Sequence, residues 1–412
     1  MQEVRPSTHQ EFFKVLTAWG EDMQAMVVNN EKVHEELGKL GLSSMDIETL
    51  SGSSIPVTVK LRNLPVAVIP LMKNEADTAN LDVVLSRRKK QGKPVSEAIL
   101  IGPKGKMRAF CDNLLKNSGD AAALGKIISN AFESNFNKKN YKLILGDHHF
   151  NLGEKTLIMG ILNVTPDSFS DGGQNNQLES ALDRAFRMVE EGADIIDIGG
   201  ESTRPGSKSI TIDEELKRVM PVIEALKKDS TFKSPLSIDT YKAAVAEKAL
   251  SAGVEMLNDV WGFKKSGALG KVAAHYSVPV CLMHNRDNTD YDDLIPDIIL
   301  ELEESINIAY RSGVKDSQVI IDPGIGFGKN LEQNLEVMKQ LSSFCNLGYP
   351  LLLGTSRKSM IGKTLDLPVE ERVEGTAATV AYGIAAGADI VRVHDVKEMS
   401  RVAKMTDAMV RR

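Results

Sequence analysis

From Thr156 onward a short apolar run recurs about every 20 to 40 residues; each ends in polar residues, and most precede a stretch with apolar positions at helical spacing. Alternating strands and helices produce this rhythm. The runs end in the segments GILNVT (160–165), IIDIGGEST (195–203), PLSIDT (235–240), EMLNDV (255–260), PVCLMH (279–284), VIIDPGIG (319–326), PLLLGTS (350–356) and IVRVHDV (390–396). Eight βα units in about 250 residues predict a closed (β/α)8 TIM barrel over an open doubly wound sheet, with the C-terminal strand ends as the functional rim. The polar residues at those ends are Asn163, Glu201, Asp239, Asn258, His284, Asp322, Ser356 and His394. One Asp or Asn after an apolar run is commonly a helix cap or turn residue. Eight polar ends on one rim predict a shared pocket.

Upstream the pattern changes. Helical spacing over 11–40 is followed by three short apolar runs at 57–61, 66–71 and 98–101, which predict a smaller α/β domain over 1–139. The Asn-rich, charged stretch 135–140 reads as its exit linker, and the barrel domain follows over 140–412. Runs at 141–145 and 149–152 flank Gly146-Asp147, so they predict a β-hairpin, a device that can plug the floor of a barrel.

At 412 residues the chain suits two domains. With 42% hydrophobic and 26% charged residues it should fold throughout. A net charge of -6 predicts neither nucleic acid nor a membrane surface as partner, since both need a concentrated cationic face. The start MQEVRPSTHQEFF has no signal-like apolar stretch, and no segment reaches the roughly 18 apolar residues of a membrane span, so a cytoplasmic protein is expected. Cys111, Cys281 and Cys345 are odd in number, far apart and without CxxC spacing, so free thiols are expected.

Arg392-Val393-His394 ends the eighth run, where barrels commonly hold phosphate, and alternation puts both outer side chains on one face. Arg204, in the loop after the second run, can reach the same anion because first and eighth strands adjoin; the alternative pairs each Arg with a surface carboxylate. A forked guanidinium suits phosphate oxygens. The segment 163–173 holds too many turn formers for helix and predicts a long loop. Asn163 at its base either offers Mg2+ a hard oxygen or bonds its own backbone. Asp239, Asn258 and Asp322 either read a flat heterocycle bearing N–H donors and a carbonyl, or satisfy one another. Ser356, Arg357 and Lys358 place a hydroxyl and two cations after the seventh run, fit for a carboxylate or enol-like oxygen. The stretch GIGFGK (324–329) lacks phosphate-loop spacing, so nucleotide binding is rejected. Lys104 and Lys106 read as a solvated turn, His148 and His149 face opposite sides of a strand, and His284 reads as a packed or loop-fixing residue.

With these segments in hand, LIMGILNVTPDSFSDGG and GADIIDIGGESTRPGS, followed in order by SIDT, LNDVWG, LMHNR, DPGIGFGKN, TSRKSMIG and VRVHDV, the chain resembles the dihydropteroate synthase family over about 270 residues. The MHNR version looks Gram-positive. The resemblance implies condensation of (7,8-dihydropterin-6-yl)methyl diphosphate with 4-aminobenzoate, releasing diphosphate, by a transferase that uses Mg2+ and forms a homodimer. It implies a pterin site of Asp239, Asn258, Asp322 and Lys358, and a diphosphate site of Arg204, Arg392 and His394, with Mg2+ on Asn163. For aminobenzoate it implies Thr203, Pro205, Phe327 and Ser356, with Phe169 closing over; Lys358, Asp167 and Asp171 are the catalytic candidates. Ile325, where many members have an aromatic residue, departs from the pattern without touching an assigned role. Two other readings stand beside this one: a methyltetrahydrofolate-to-corrinoid methyltransferase, whose substrate lacks the diphosphate, and an idle pterin-binding paralogue. The role of the N-terminal domain is not legible.

Overall fold

The computed structural model describes residues 37, 43–61, 64, 66–90, 93–136, 141–165, 174–202 and 209–411. The chain divides into two compact units, Met1–Ser129 and Asn130–Arg412.

In the first unit an antiparallel sheet has the order β1-β3-β2, with β1 at Pro56–Leu61, β2 at Asp82–Lys90 and β3 at Lys93–Pro103. Helices Ser44–Ser54, Ile69–Ala79 and Lys104–Leu115 accompany it, and Val57, Leu61, Met72, Leu100, Met107, Phe110 and Leu114 are buried. The α/β expectation holds over the described residues, with one exchange of element; the helical stretch expected over 11–40 lies, but for residue 37, outside them. The apolar run 66–71 is no strand: it forms a 3-10 turn, Val66–Val68, and opens the helix Ile69–Ala79. Pro70 lies in that helix's first turn, where a missing N–H costs nothing, whereas in a sheet it would remove a ladder donor.

The second unit opens with a hairpin, β4 (Lys142–Leu145) and β5 (His148–Asn151), turning at Gly146-Asp147 as expected. Eight parallel strands follow: β6 Leu157–Asn163, β7 Ile195–Gly199, β8 Leu236–Asp239, β9 Met256–Asp259, β10 Val280–Met283, β11 Val319–Asp322, β12 Leu352–Leu353 and β13 Ile390–Val393. Their order β11-β10-β9-β8-β7-β6-β13-β12 is closed by a parallel bridge from Ile321 to Leu351. This is the (β/α)8 barrel expected from the runs.

Period-two alternation sorts each strand's side chains between two compartments. Ile158, Ile196, Ile198, Ile238, Leu257, Leu282, Ile321, Leu353 and Val391 pack with helix residues such as Ala185, Val219, Ala249 and Leu302. Met159, Ile195, Met256, Cys281, Ile320, Leu352 and Ile390 pack inside with Leu143, Leu145 and Leu152, so the hairpin does plug the floor. Carboxylates just before the strands pin neighbouring strands at this end: Asp194 accepts from Ile158 N–H at 2.9 Å, Glu255 from Leu236 N–H at 2.9 Å and Asp389 from Leu351 N–H at 3.1 Å. Asp407 adds two bonds of 2.7 Å to the N–H and hydroxyl of Thr156. Cys111, Cys281 and Cys345 are free thiols. Among the described residues no helix is long and apolar enough to cross a membrane.

Candidate active site

Above the apolar floor the inward positions turn polar. Asp197 lies opposite Ser237 in the β7–β8 ladder, Asp239 opposite Gly199 and Asn258, and Asp322 opposite Met283. Asp197, Asp239, Asn258 and Asp322 are each at most 5% exposed. Burying that many polar groups is costly unless each finds a partner.

One guanidinium partners two of them. Arg392 donates from Nε to Asp197 Oδ2 and from Nη2 to Asp239 Oδ2, each at 2.6 Å, while Asn258 Nδ2 donates to Asp197 Oδ2 at 3.0 Å. The sequence offered Arg392 either an anion or a surface carboxylate; the structure finds it on two carboxylates inside the barrel. Asp197 Oδ1, Ser237 Oγ and Asp239 Oδ1 have no hydrogen-bond partner. Burial pushes Asp239 up to about 7, with Arg392 pulling down and Asp197 pushing further up. Burial also works against the Arg392 cation, but Asp197 and Asp239 outweigh it and hold it charged above its ordinary value.

On the other side, burial raises Asp322 to about 6 against the Gly324 N–H and the charges of Lys358 and Lys329. The Gly324 N–H bonds Asp322 Oδ1 at 2.7 Å. Gly354 lies beside this acceptor: a Cβ there would stand in ordinary contact, 3.9 Å from both Asp322 Oδ2 and the Arg392 Cβ. A buried carboxylate with an unpartnered oxygen, as at Asp239, is an acceptor that suits an N–H donor.

Nearer the mouth, Lys358 Nζ stands 4.1 Å over the Phe327 ring, a cation–π contact. Phe327 packs with Val260, Met283, Tyr241 and Trp261. Ser356, buried, accepts from the His394 N–H at 3.1 Å, with His394 Nδ1 at 3.0 Å from the same hydroxyl. Of the two cations after β12, Arg357 is engaged with Asp395 through two bonds, one of 2.9 Å. Asn163, half-buried at the end of β6, and Asp239 flank Gly199: a Cβ there would lie 3.7 Å from Asn163 Oδ1 and from Asp239 Cβ. Among the described residues no three His, Cys, Asp or Glu side chains are placed to hold a metal. Asp167, Phe169, Asp171, Thr203, Arg204 and Pro205 lie outside the described residues.

Glu201, the polar end of the second run, is tied into its loop by Lys242 at 2.5 Å and Tyr241 at 2.7 Å. His284 is fully buried beside Lys329, as a loop-fixing residue would be. Two buried charged residues beside these escaped the sequence reading. Asp197 sits inside DIIDIGG and passes for part of a core strand; its signal was its inward parity with Asp239's strand partner Gly199. Lys329 followed a glycine stretch that was weighed only as a phosphate loop.

The chain matches the model of a family described as pterin binding enzyme over residues 159–394. It is 61% identical to a dihydropteroate synthase of Clostridium beijerinckii over 269 residues, 65% of this chain and 99% of that protein. To the Bacillus subtilis dihydropteroate synthase it is 56% identical over 257 residues, 62% of this chain and 90% of the relative. Among solved structures, a Clostridium difficile dihydropteroate synthase in the presence of pteroic acid aligns at a TM-score of 0.62 with 55% identity, covering 64% of this chain and all of that one. A Xanthomonas albilineans dihydropteroate synthase in complex with 7,8-dihydropteroate aligns at 0.60 with 38% identity, covering 65% and 98%. With the matched segment spanning all eight barrel strands and their polar inner layer, the chain belongs to the pterin-binding enzyme family, among its dihydropteroate synthases.

Proposed function

We propose that the chain joins (7,8-dihydropterin-6-yl)methyl diphosphate to 4-aminobenzoate, giving 7,8-dihydropteroate and diphosphate. The observation that carries this reading is the buried layer of Asp239, Asn258 and Asp322 at the barrel's C-terminal end, acceptors and an amide suited to a flat ring with N–H donors. An assay of diphosphate release with both substrates and Mg2+ tests it; no release would sink it.

In this reaction the methylene–oxygen bond breaks, the amine nitrogen bonds the methylene carbon, and one amine proton leaves. Negative charge builds on the departing diphosphate and positive charge on the pterin side. Asp239, Asn258, Asp322 and Lys358 are the proposed pterin residues. Arg392 donates to Asp239 at 2.6 Å. Pterin donors that take over Asp239 release the guanidinium toward the diphosphate, where Arg204 and His394 join it. Thr203, Pro205, Phe327, Ser356 and Phe169 are proposed to hold aminobenzoate, with Lys358, Asp167 and Asp171 in catalysis. Asn163 supplies one amide oxygen, a donor that suits Mg2+ arriving on a diphosphate, because this ion keeps waters and phosphate oxygens as most of its ligands. Bound there, the ion would neutralise leaving-group charge.

The barrel, 140–412, is proposed as the whole catalytic domain and 1–139 as an extension of separate role; the Clostridium beijerinckii relative is covered almost completely by the matched 269 residues. We further propose a cytoplasmic homodimer, for which the exposed Met405, Met409 and Val410 of the last helix offer an apolar face to cover. Sedimentation velocity distinguishes monomer from dimer.

A further inference from the structure

The loop leaving β11 carries the Gly324 N–H that holds Asp322 and the ring of Phe327. It turns through three glycines in the left-handed region, Gly324, Gly326 and Gly328, at φ of 70°, 83° and 55°. Backbone in this conformation aims some carbonyls inward, and buried carbonyls need donors. Lys329 supplies them: its Nζ lies 3.0 Å from Gly324 O, 3.0 Å from Phe327 O and 2.9 Å from His284 Nδ1. An ammonium has three donors and no acceptor, and here each donor has one target.

We propose that Lys329 is a positioning residue for the aminobenzoate half of the site, its ammonium setting the place of the Phe327 ring through the carbonyls of Gly324 and Phe327. The inference rests on the assignment of Phe327 made above.

Lys329 is only 8% exposed, and none of its three partners is a carboxylate. Burial works against its charge and lowers it to about 7. A buried cation spent on two carbonyls and an imidazole points to loop geometry rather than to an ion pair. The imidazole is arranged to accept. An ammonium can only donate, so the lone pair of Nδ1 faces Lys329 and the ring proton sits on Nε2, 3.3 Å from Glu301 Oε2. Burial keeps that ring neutral, with its pKa lowered to about 4. Glu301 is itself held by Lys264 at 2.8 Å and by Arg286. The loop has other fasteners, one on either side of Phe327: Asn334 Oδ1 accepts from Gly326 N–H at 2.6 Å, and the Tyr291 hydroxyl donates to Gly328 O at 2.7 Å. Loss of Lys329 therefore displaces Phe327 without unravelling the loop.

The test compares full-length wild type with Lys329→Met, which keeps the chain length and removes the donors. The expected result is an aminobenzoate KM raised at least about tenfold, with a smaller rise in the pterin KM because the Lys329 charge also lowers Asp322, and kcat at saturation within about threefold. Amide hydrogen exchange should quicken in 323–330 and not at β8 or β9. Equal losses in both KM values and kcat, or unchanged exchange in 323–330, overturn the inference. Should wild type release no diphosphate, the functional reading fails, and the exchange comparison alone still decides whether Lys329 holds the loop. If Lys329→Met does not fold, Glu301→Leu replaces it: freeing the His284 tautomer should raise the aminobenzoate KM about threefold, and an unchanged KM refutes the proposal.

Discussion

Asp322→Asn should make the ligand-free enzyme more stable while crippling it. The carboxyl is pushed up from 3.8 to about 6, chiefly by burial. A raised carboxyl contributes stability that is full below about 3.8 and is lost as pH rises through about 6. At 1.36 kcal/mol per pKa unit, ionising Asp322 in place costs on the order of 3 kcal/mol relative to the unfolded chain near pH 8, and roughly half of that near pH 5. Asparagine carries no such cost and still offers an oxygen to the Gly324 N–H. Urea denaturation at both pH values should therefore show the variant's advantage growing by roughly 1 to 2 kcal/mol from the lower to the higher. Calorimetry with a simple pterin should meanwhile show a loss of roughly 1.5–3 kcal/mol, because an anionic acceptor has been exchanged for a group presenting its own N–H. A pH-independent stability difference would refute the account of the buried charge, and an undiminished pterin affinity would refute the site assignment.

A chain beginning near Lys138 should fold and keep kcat within roughly tenfold of the full protein, a barrier change of about 1.4 kcal/mol at most; a soluble truncation that loses a hundredfold would show that the extension completes the site. Leu145→Ala removes a fully buried floor residue and should cost roughly 2–5 kcal/mol in denaturant unfolding without altering either KM at permissive temperature. Asp407→Ala breaks two 2.7 Å bonds to Thr156 and should lower stability by about 1–3 kcal/mol; no change would mean that the start of β6 needs no pinning. Gly324→Ala would set a Cβ 1.9 Å from the His284 carbonyl oxygen at a positive φ, so soluble, fully active protein would contradict the loop geometry.

The barrel was legible because its strands, covered on both sides, are nearly unbroken apolar runs that stop at polar residues, and because the hairpin announces itself with Gly146-Asp147. The first unit was less so. β2 ends in Arg87-Arg88-Lys89-Lys90, which disguises a strand as a charged tail, while Val66 to Leu71 has strand-like residues and forms helix because Pro70 suits a first turn. In the site, Asp239, Asn258 and Asp322 stood out as polar strand ends. Asp197 did not, since it lies inside a strand and only the closed barrel reveals what an inward position there must face. The partner of Arg392 was equally hidden: two residues of its own bond network are more than 150 positions away in sequence. Lys329 could be found only by asking where the carbonyls of a glycine turn go.

The plugged floor closes one end of the barrel. Leu143, Leu145 and Leu152 stop the lower end, the polar layer of Asp239, Asn258 and Asp322 lies above them, and Phe327, Ser356 and Lys358 sit toward the mouth. Traffic through such a vessel keeps the order of a stack. On the proposed assignment the pterin, read by the deeper layer, arrives before the amine that lies across its exit, and its ring is the last part of the product to leave. Whatever lodges at the mouth without reacting imprisons what is beneath it, so a tight mimic of the second substrate would act by sealing the first inside.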